Sequence, residues 1–294
     1  MEHTRHRLDG AHLLRLSSHL TDRDHRILSL LSTHRVLTTP QIAQAAFTSN
    51  SRAVQRLRAL TGLGLVARFR PRRDRGSAPW HYVLDTSGAH VLAADEGRDV
   101  DRVRVRRDRQ LALAHSTHLA HRVGANGFFT ALVWAARTNE DMHLREWLNP
   151  SDAYGLVEDR HSAPWDGGLP RPDGYGLWRE EGRSVAFFLE WDTGTETHRQ
   201  LTTKIERYVD LCDNALAPLP GVLFVFPTPR RENNVRAVLR RVQNTRRLAV
   251  ATTHMPAART PHEAVWAPLN SPMVQGRVRL VDAAAPDVGE GELF

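Results

Sequence analysis

The chain has 294 residues, 41% of them hydrophobic, which is enough for one or two packed domains; its one cysteine, Cys212, excludes an internal disulfide and a multi-cysteine zinc cluster, and no apolar run approaches the roughly 18–20 residues of a membrane span. The net charge of +7 is unevenly placed: residues 1–114 hold 20 Arg against 11 Asp and Glu, and the other 180 hold 20 basic against 22 acidic residues. A basic module joined to a near-neutral one suggests an anchor for a polyanion beside a separate working domain, and with no apolar amphipathic helix to favour a membrane, double-stranded DNA is the expected partner.

Residues 1–19 form an N-terminal extension without the compact apolar stretch and cleavage site of a secretory signal, so a cytoplasmic location is expected. The module at 20–95 opens on LTDRDHRILSLLSTH. Thr21 is a helix cap there, Asp22 and Asp24 place acids in the first turn, and Ile27, Leu28, Leu30 and Leu31 recur at helical spacing. VLTTPQIAQAAF predicts a second, short helix capped by Thr38 or Thr39, with Pro40 in its first turn. TSNSRAVQRLRALTGLGL predicts a third, which buries Val54, Leu57 and Leu60, ends at Gly62 or Gly64, and shows Arg52, Gln55, Arg56 and Arg58 on its other face. Two strand-like segments, LVARFRP and WHYVLD, flank the basic loop RRDRGSAP, and TSGAHVLAAD reads as a short closing helix.

Three helices followed by a basic hairpin predict a winged helix-turn-helix, with the third helix in the major groove and Arg70, Arg72, Arg73 and Arg75 of the wing on phosphates. A plain three-helix core with a solvated arginine face would account for the apolar positions but not for four arginines on a hairpin. Winged helices also serve as protein-interaction modules, which is the remaining alternative.

Residues 96–114 are charge-dense and mixed in sign, as expected of a linker that runs into a long helix. His115, His118 and His121 stand at i, i+3 and i+6, a spacing that drifts around a helix, so no metal site is expected from them alone. His121, with Asn126, is the one expected to face a pocket. The domain at 115–282 reads as a helix over about 116–138, a strand near MHLREWL, and strands YGLWRE and RSVAFFLEWD after a Pro/Gly-rich stretch. A helix from TETHRQL, the strand GVLFVFP, a helix from RENNVRA and the strand LAVATTH follow. The fold class is α/β (α+β overall), with a mixed sheet flanked by helices. Residues 283–294, acidic and rich in Gly and Ala, predict a disordered tail or a short partner-binding peptide.

The strand RSVAFFLEWD is continuously apolar until its end, as a central strand covered on both sides must be. Glu190 and Asp192 close it and point to one face at the strand period of two. Acids there need water, a base or a cation. Asp173, from RPDG, offers a third carboxylate toward the oxygen cage that Mg²⁺ prefers. Lys204 is the only lysine in the chain and lies on the next helix, with Tyr208 four residues on and sharing its face.

RPDGYGLW followed by FFLEWD resembles the PD-(D/E)XK nuclease fold. The resemblance implies that Asp173 is the first acid and Glu190 the second. It departs at the lysine two residues later, where Asp192 stands; in some members that lysine moves to the following helix, which suits Lys204. The stretches LTDRDHRILSLLSTHRVLTTPQIAQAAF, RLRALTGLGLVARF, GSAPWHYVLDTSGAHVLA and RPDGYGLW through KIERY are also similar to the replication-relaxation family of actinobacterial mobile elements. That similarity implies DNA processing on a plasmid, in replication or conjugative transfer, with replication or transfer proteins and a second copy of the chain as further partners.

The expected activity is therefore Mg²⁺- or Mn²⁺-dependent DNA nicking or cleavage, with Asp173, Glu190 and Asp192 on the metal, Lys204 at the attacking water, and Tyr208 and His121 as accessories. Three alternatives remain: Asp192 as a helix cap, Lys204 as a surface partner of Glu196 or Tyr208, and Tyr208 as a covalent nucleophile. The rival from another class is a non-catalytic DNA-binding regulator with a degenerate nuclease-like domain. No phosphate-binding glycine loop, serine nucleophile elbow or His-metal relaxase motif is present in the sequence.

Overall fold

The computed structural model describes residues 19–72, 76–161, 168–215, 218–270 and 276–284. The chain divides into two compact units, Met1–Leu119 and Ala120–Phe294. Most of the expected N-terminal extension and C-terminal tail lie outside the described residues.

In the first unit the order is α1 (Asp22–His34), β1 (Leu37–Thr38), α2 (Thr39–Ala46), α3 (Asn50–Gly62), β2 (Val66–Phe69), β3 (His81–Leu84), α4 (Thr86–Asp95) and α5 (Arg107–Leu111). The helices begin where side chains can satisfy their free N–H groups. Thr21 and Asp24 cap α1 reciprocally, the Thr21 N–H donating to the Asp24 carboxylate at 2.8 Å. Thr38 and Gln41 repeat the device on α2, and the Ser49 hydroxyl accepts from the Arg52 N–H on α3. Ile27, Leu28, Ile42, Leu57 and Leu60 form the buried centre, while Val54 is only half-buried. β3 lies between β1 and β2 in an antiparallel sheet.

The second unit contains α6 (Leu119–Thr138), β4 (Met142–Leu148), α7 (Pro150–Arg160), β5 (Gly174–Glu180), β6 (Arg183–Trp191), α8 (His198–Asn214), β7 (Gly221–Phe226), α9 (Pro229–Leu239), β8 (Val250–His254), β9 (Ala267–Pro268) and α10 (Leu280–Ala283). Its six-stranded sheet runs β4-β5-β6-β7-β8-β9. Pairing is antiparallel from β4 to β6, parallel from β6 to β8, and antiparallel again at β9.

β6 is apolar from Val185 to Leu189 because both of its faces are covered there. Phe187, Leu189 and Trp191 pack with Phe128, Phe129 and Leu132 of α6, whereas Ala186 and Phe188 pack with Val157, Ile205, Tyr208 and Val235 of α7, α8 and α9. α7 was not expected from the sequence, although Asn149 caps it and Pro150 opens it; it buries only Ala153 and Val157, too few to mark a helical period. Near the C-terminal end, Arg277 pairs with the buried Glu232 at 2.7 Å and Arg279 with the buried Glu180 at 3.2 Å, fixing the approach to α10. Among the described residues no helix is long and apolar enough to cross a membrane.

Candidate active site

The alternation of β6 carries Glu190 to the face that already holds Ala186 and Phe188, beneath α8. Burial there leaves Glu190 1% exposed, so its carboxylate needs donors. α8 supplies two of them from one row: the Lys204 ammonium lies 2.8 Å from one carboxylate oxygen, and the Tyr208 hydroxyl donates to the other at 2.7 Å. Lys204 also meets both oxygens of Glu196, at 3.0 and 3.2 Å. The Lys204–Glu196 pairing expected as an alternative is therefore present, but together with the Glu190 pairing.

Asp173 stands just before β5. Its N–H donates to the Leu189 carbonyl at 2.8 Å, which continues the β5–β6 ladder and brings it beside Glu190. One carboxylate oxygen accepts from the Trp191 N–H at 2.8 Å, and the other lies 2.7 Å from Nε2 of His121, which reaches it from the first turn of α6. Asp173, Glu190, Lys204, Tyr208 and His121, drawn from four elements and their flanks, thus meet at one end of the sheet.

Asp192 does not join them. Its oxygens are taken by the Gly194 N–H at 2.6 Å and by the guanidinium of Arg231 at the start of α9. Among the described residues no group of three His, Cys, Asp or Glu side chains stands together as a metal-binding set, and the expected three-carboxylate cage does not form: Asp173 and Glu190 stand together without Asp192. The reason is Arg231, 39 residues away in sequence, which turns Asp192 toward the loop after β6 and also donates to the Glu196 carbonyl. Nor does Asp192 cap α8; Thr197 does.

Electrostatics sort the roles. Burial pushes the Glu190 carboxyl up to about 7 from its ordinary 4.5, against the opposing pull of Lys204. Burial works against the Lys204 ammonium, but Glu190, Asp173 and Glu196 outweigh it and hold the group above the ordinary lysine value. Lys204 is thus held in its charged form. Burial and the neighbouring Glu190 keep the Tyr208 phenol well above its usual range, and its fully buried hydroxyl donates to Glu190. Burial lowers and Asp173 raises the His121 imidazole, with a net rise.

The donor set fits a hard cation. Among the described residues each oxygen of Asp173 and Glu190 meets one donor and keeps a second lone pair, and Mg²⁺ commonly takes one or two carboxylates with water and substrate phosphate filling the rest. An acid destabilised by burial, as Glu190 is, also gains from a cation beside it.

In the first unit, Arg52, Gln55 and Arg58 are exposed on α3, and Arg70 and Arg72 are exposed after β2. Arg56, expected among the DNA contacts, is instead committed inward: its guanidinium holds the buried Asp24 through two bonds of 2.8 and 2.6 Å. Arg73 and Arg75 lie outside the described residues. Sequence reasoning missed Arg68, which with Arg70 lies over the Trp80 ring, at 4.2 and 4.4 Å from its centre. It also missed Arg231. The period of β2, which puts Arg68 and Arg70 on one face, was the available signal for the first; nothing local signals the second.

A family model described as Replication-relaxation matches residues 28–218. Among solved structures, the chain is similar to the restriction endonuclease FokI, at 12% identity with a TM-score of 0.29, covering 83% of this chain and 44% of that one. It is also similar to FokI bound to DNA, at 12% identity, a TM-score of 0.24, 83% of this chain and 45% of that one. The chain thus spans less than half the length of either, and scores of this size establish no shared fold. No curated protein matches the chain.

Proposed function

Since the chain belongs to the replication-relaxation family, we propose that it is a DNA-processing protein of a plasmid or mobile element, with a DNA-binding first unit of winged helix-turn-helix type and a metal-dependent nicking or cleaving second unit of PD-(D/E)XK type. One observation carries the reading: Asp173 and Glu190, from neighbouring antiparallel strands, stand with the ammonium of the only lysine 2.8 Å from Glu190. Asp173 and Glu190 would hold Mg²⁺ or Mn²⁺, which when bound supplies a water of lowered pKa and charge stabilisation at the scissile phosphate. The chain's own residues set the stage. His121 and the Trp191 N–H orient Asp173, Tyr208 orients Glu190, and Lys204 presents a permanent positive charge to the phosphate oxygens. In the first unit, the exposed Arg52, Gln55 and Arg58 of α3 face base edges, and Arg70 and Arg72 take phosphates.

The test incubates supercoiled plasmid from the cognate element with the protein and Mg²⁺ or Mn²⁺. Nicking that is lost in both Asp173→Ala and Glu190→Ala supports the reading. The second reading, a non-catalytic DNA-binding regulator, is favoured by one observation: an acid, Asp192, occupies the usual lysine position and is consumed by Arg231. DNA that is retarded but intact under every metal condition would establish it.

A further inference from the structure

Beside Lys204 an open cleft of about 340 Å³ is lined by Arg171, Arg199, Lys204 and Arg207 against a single acid, Glu196. Arg199 and Arg207 lie on one row of α8 at a spacing of eight, next to the row of Lys204 and Tyr208. Arg171 comes from the segment before β5 and stacks on Tyr154, 4.7 Å from the ring centre. Among the described residues none of these three arginines makes an ion pair, and Nε of Arg207 is buried with no hydrogen-bond partner. A buried donor left open in this way is costly unless a ligand meets it. The acid in the cleft is already an anion on a cation: both Glu196 oxygens contact Lys204, and Arg231 fixes the Glu196 backbone from behind.

We propose that this cleft is a phosphate subsite for the nucleic-acid strand, and that the Glu196 carboxylate occupies it as a stand-in until a phosphate displaces it. The inference deepens the cleavage reading and rests on it for the nature of the ligand. Phosphate suits the cleft better than a carboxylate ligand, because three forked guanidinium donors and an ammonium outnumber the two oxygens of a carboxylate. The phosphate can come from a strand terminus, as a monoester, or from within a strand, as a diester.

The full chain, with EDTA present, is titrated with thymidine dinucleotide carrying or lacking a 5′-phosphate, and binding is followed by calorimetry. Tighter binding of the phosphorylated form assigns the subsite to a chain end, and equal binding assigns it to an internal diester. In either case Arg199→Ala and Arg207→Met weaken binding about tenfold or more, and Glu196→Gln strengthens it. A variant that merely misfolds cannot bind more tightly, so the Glu196→Gln result is independent of folding losses. No binding by either dinucleotide, or affinities unmoved by all three variants, would overturn the subsite. Because no metal is present, these outcomes are separate from those of the nicking test: wild-type nicking with an unresponsive cleft defeats the subsite alone, and a responsive cleft without nicking under any metal defeats the cleavage reading alone.

Discussion

Asp173 takes its position from the His121 side chain and the Trp191 backbone N–H, neither of which it shares with Glu190, and this makes its support separable. His121 touches Asp173 and not Glu190. Such an outer partner of a metal-binding carboxylate is typically worth about 10–100-fold in metal affinity or rate. His121→Ala should therefore lower the nicking rate by about that factor while leaving dinucleotide affinity in EDTA unchanged. A second histidine makes stability depend on pH. Burial in the last turn of α1 drops the His34 imidazole to about 3 from its ordinary 6.5. The folded state keeps it neutral while the unfolded chain binds a proton, so stability is lost as pH falls from 6.5 toward 3. Denaturant midpoints of the first unit should fall between pH 8 and pH 5, and His34→Leu should flatten that slope. Arg56→Ala leaves the buried carboxylate of Asp24 with only its Thr21 donors and should cost about 1–3 kcal/mol, read from the same midpoints, whereas Arg52→Ala should cost less than about 0.5 kcal/mol.

At the level of elements, glycine sets how closely α6 approaches β6. A Cβ on Gly124 would fall 2.2 Å from the Trp191 indole nitrogen. Gly124→Ala should then cost about 1–3 kcal/mol as an overpacking change. It should also slow nicking, because the residue pushed aside is the one whose N–H holds Asp173; midpoint and rate measured on one preparation check both. The same scale shows what a sequence can carry. The caps of α1 and α2 were legible because their signals sit within three residues, and β6 because two covered faces leave an unbroken apolar run. β1 and β9 have two residues each, too few for any period. The convergence of Asp173, Glu190 and Lys204 was legible from strand alternation and helix position, but the fates of Asp192 and Arg56 were not. Their partners, Arg231 and Asp24, lie 39 and 32 residues away and announce themselves only once the chain is folded.

For the whole molecule, charge and fold divide in the same place. The arginine excess falls within residues 1–114, and the first compact unit ends at Leu119. Binding of duplex DNA should accordingly weaken steeply with salt through release of counterions. Removing Arg70 and Arg72 together should lower the log–log salt slope by about 2, since both are assigned to phosphates, measured by anisotropy over a salt series; Arg56→Ala should leave that slope in place.

The solitary side-chain amine has a practical consequence for spectroscopy. Supplying lysine labelled with ¹³C at its Cε during expression marks only Lys204. A chain of ordinary composition would give a crowd of overlapping methylene signals; here one resonance would report on the pocket directly. Its chemical shift would follow the arrival of an ion or a nucleotide without any engineered probe, and without altering a second position.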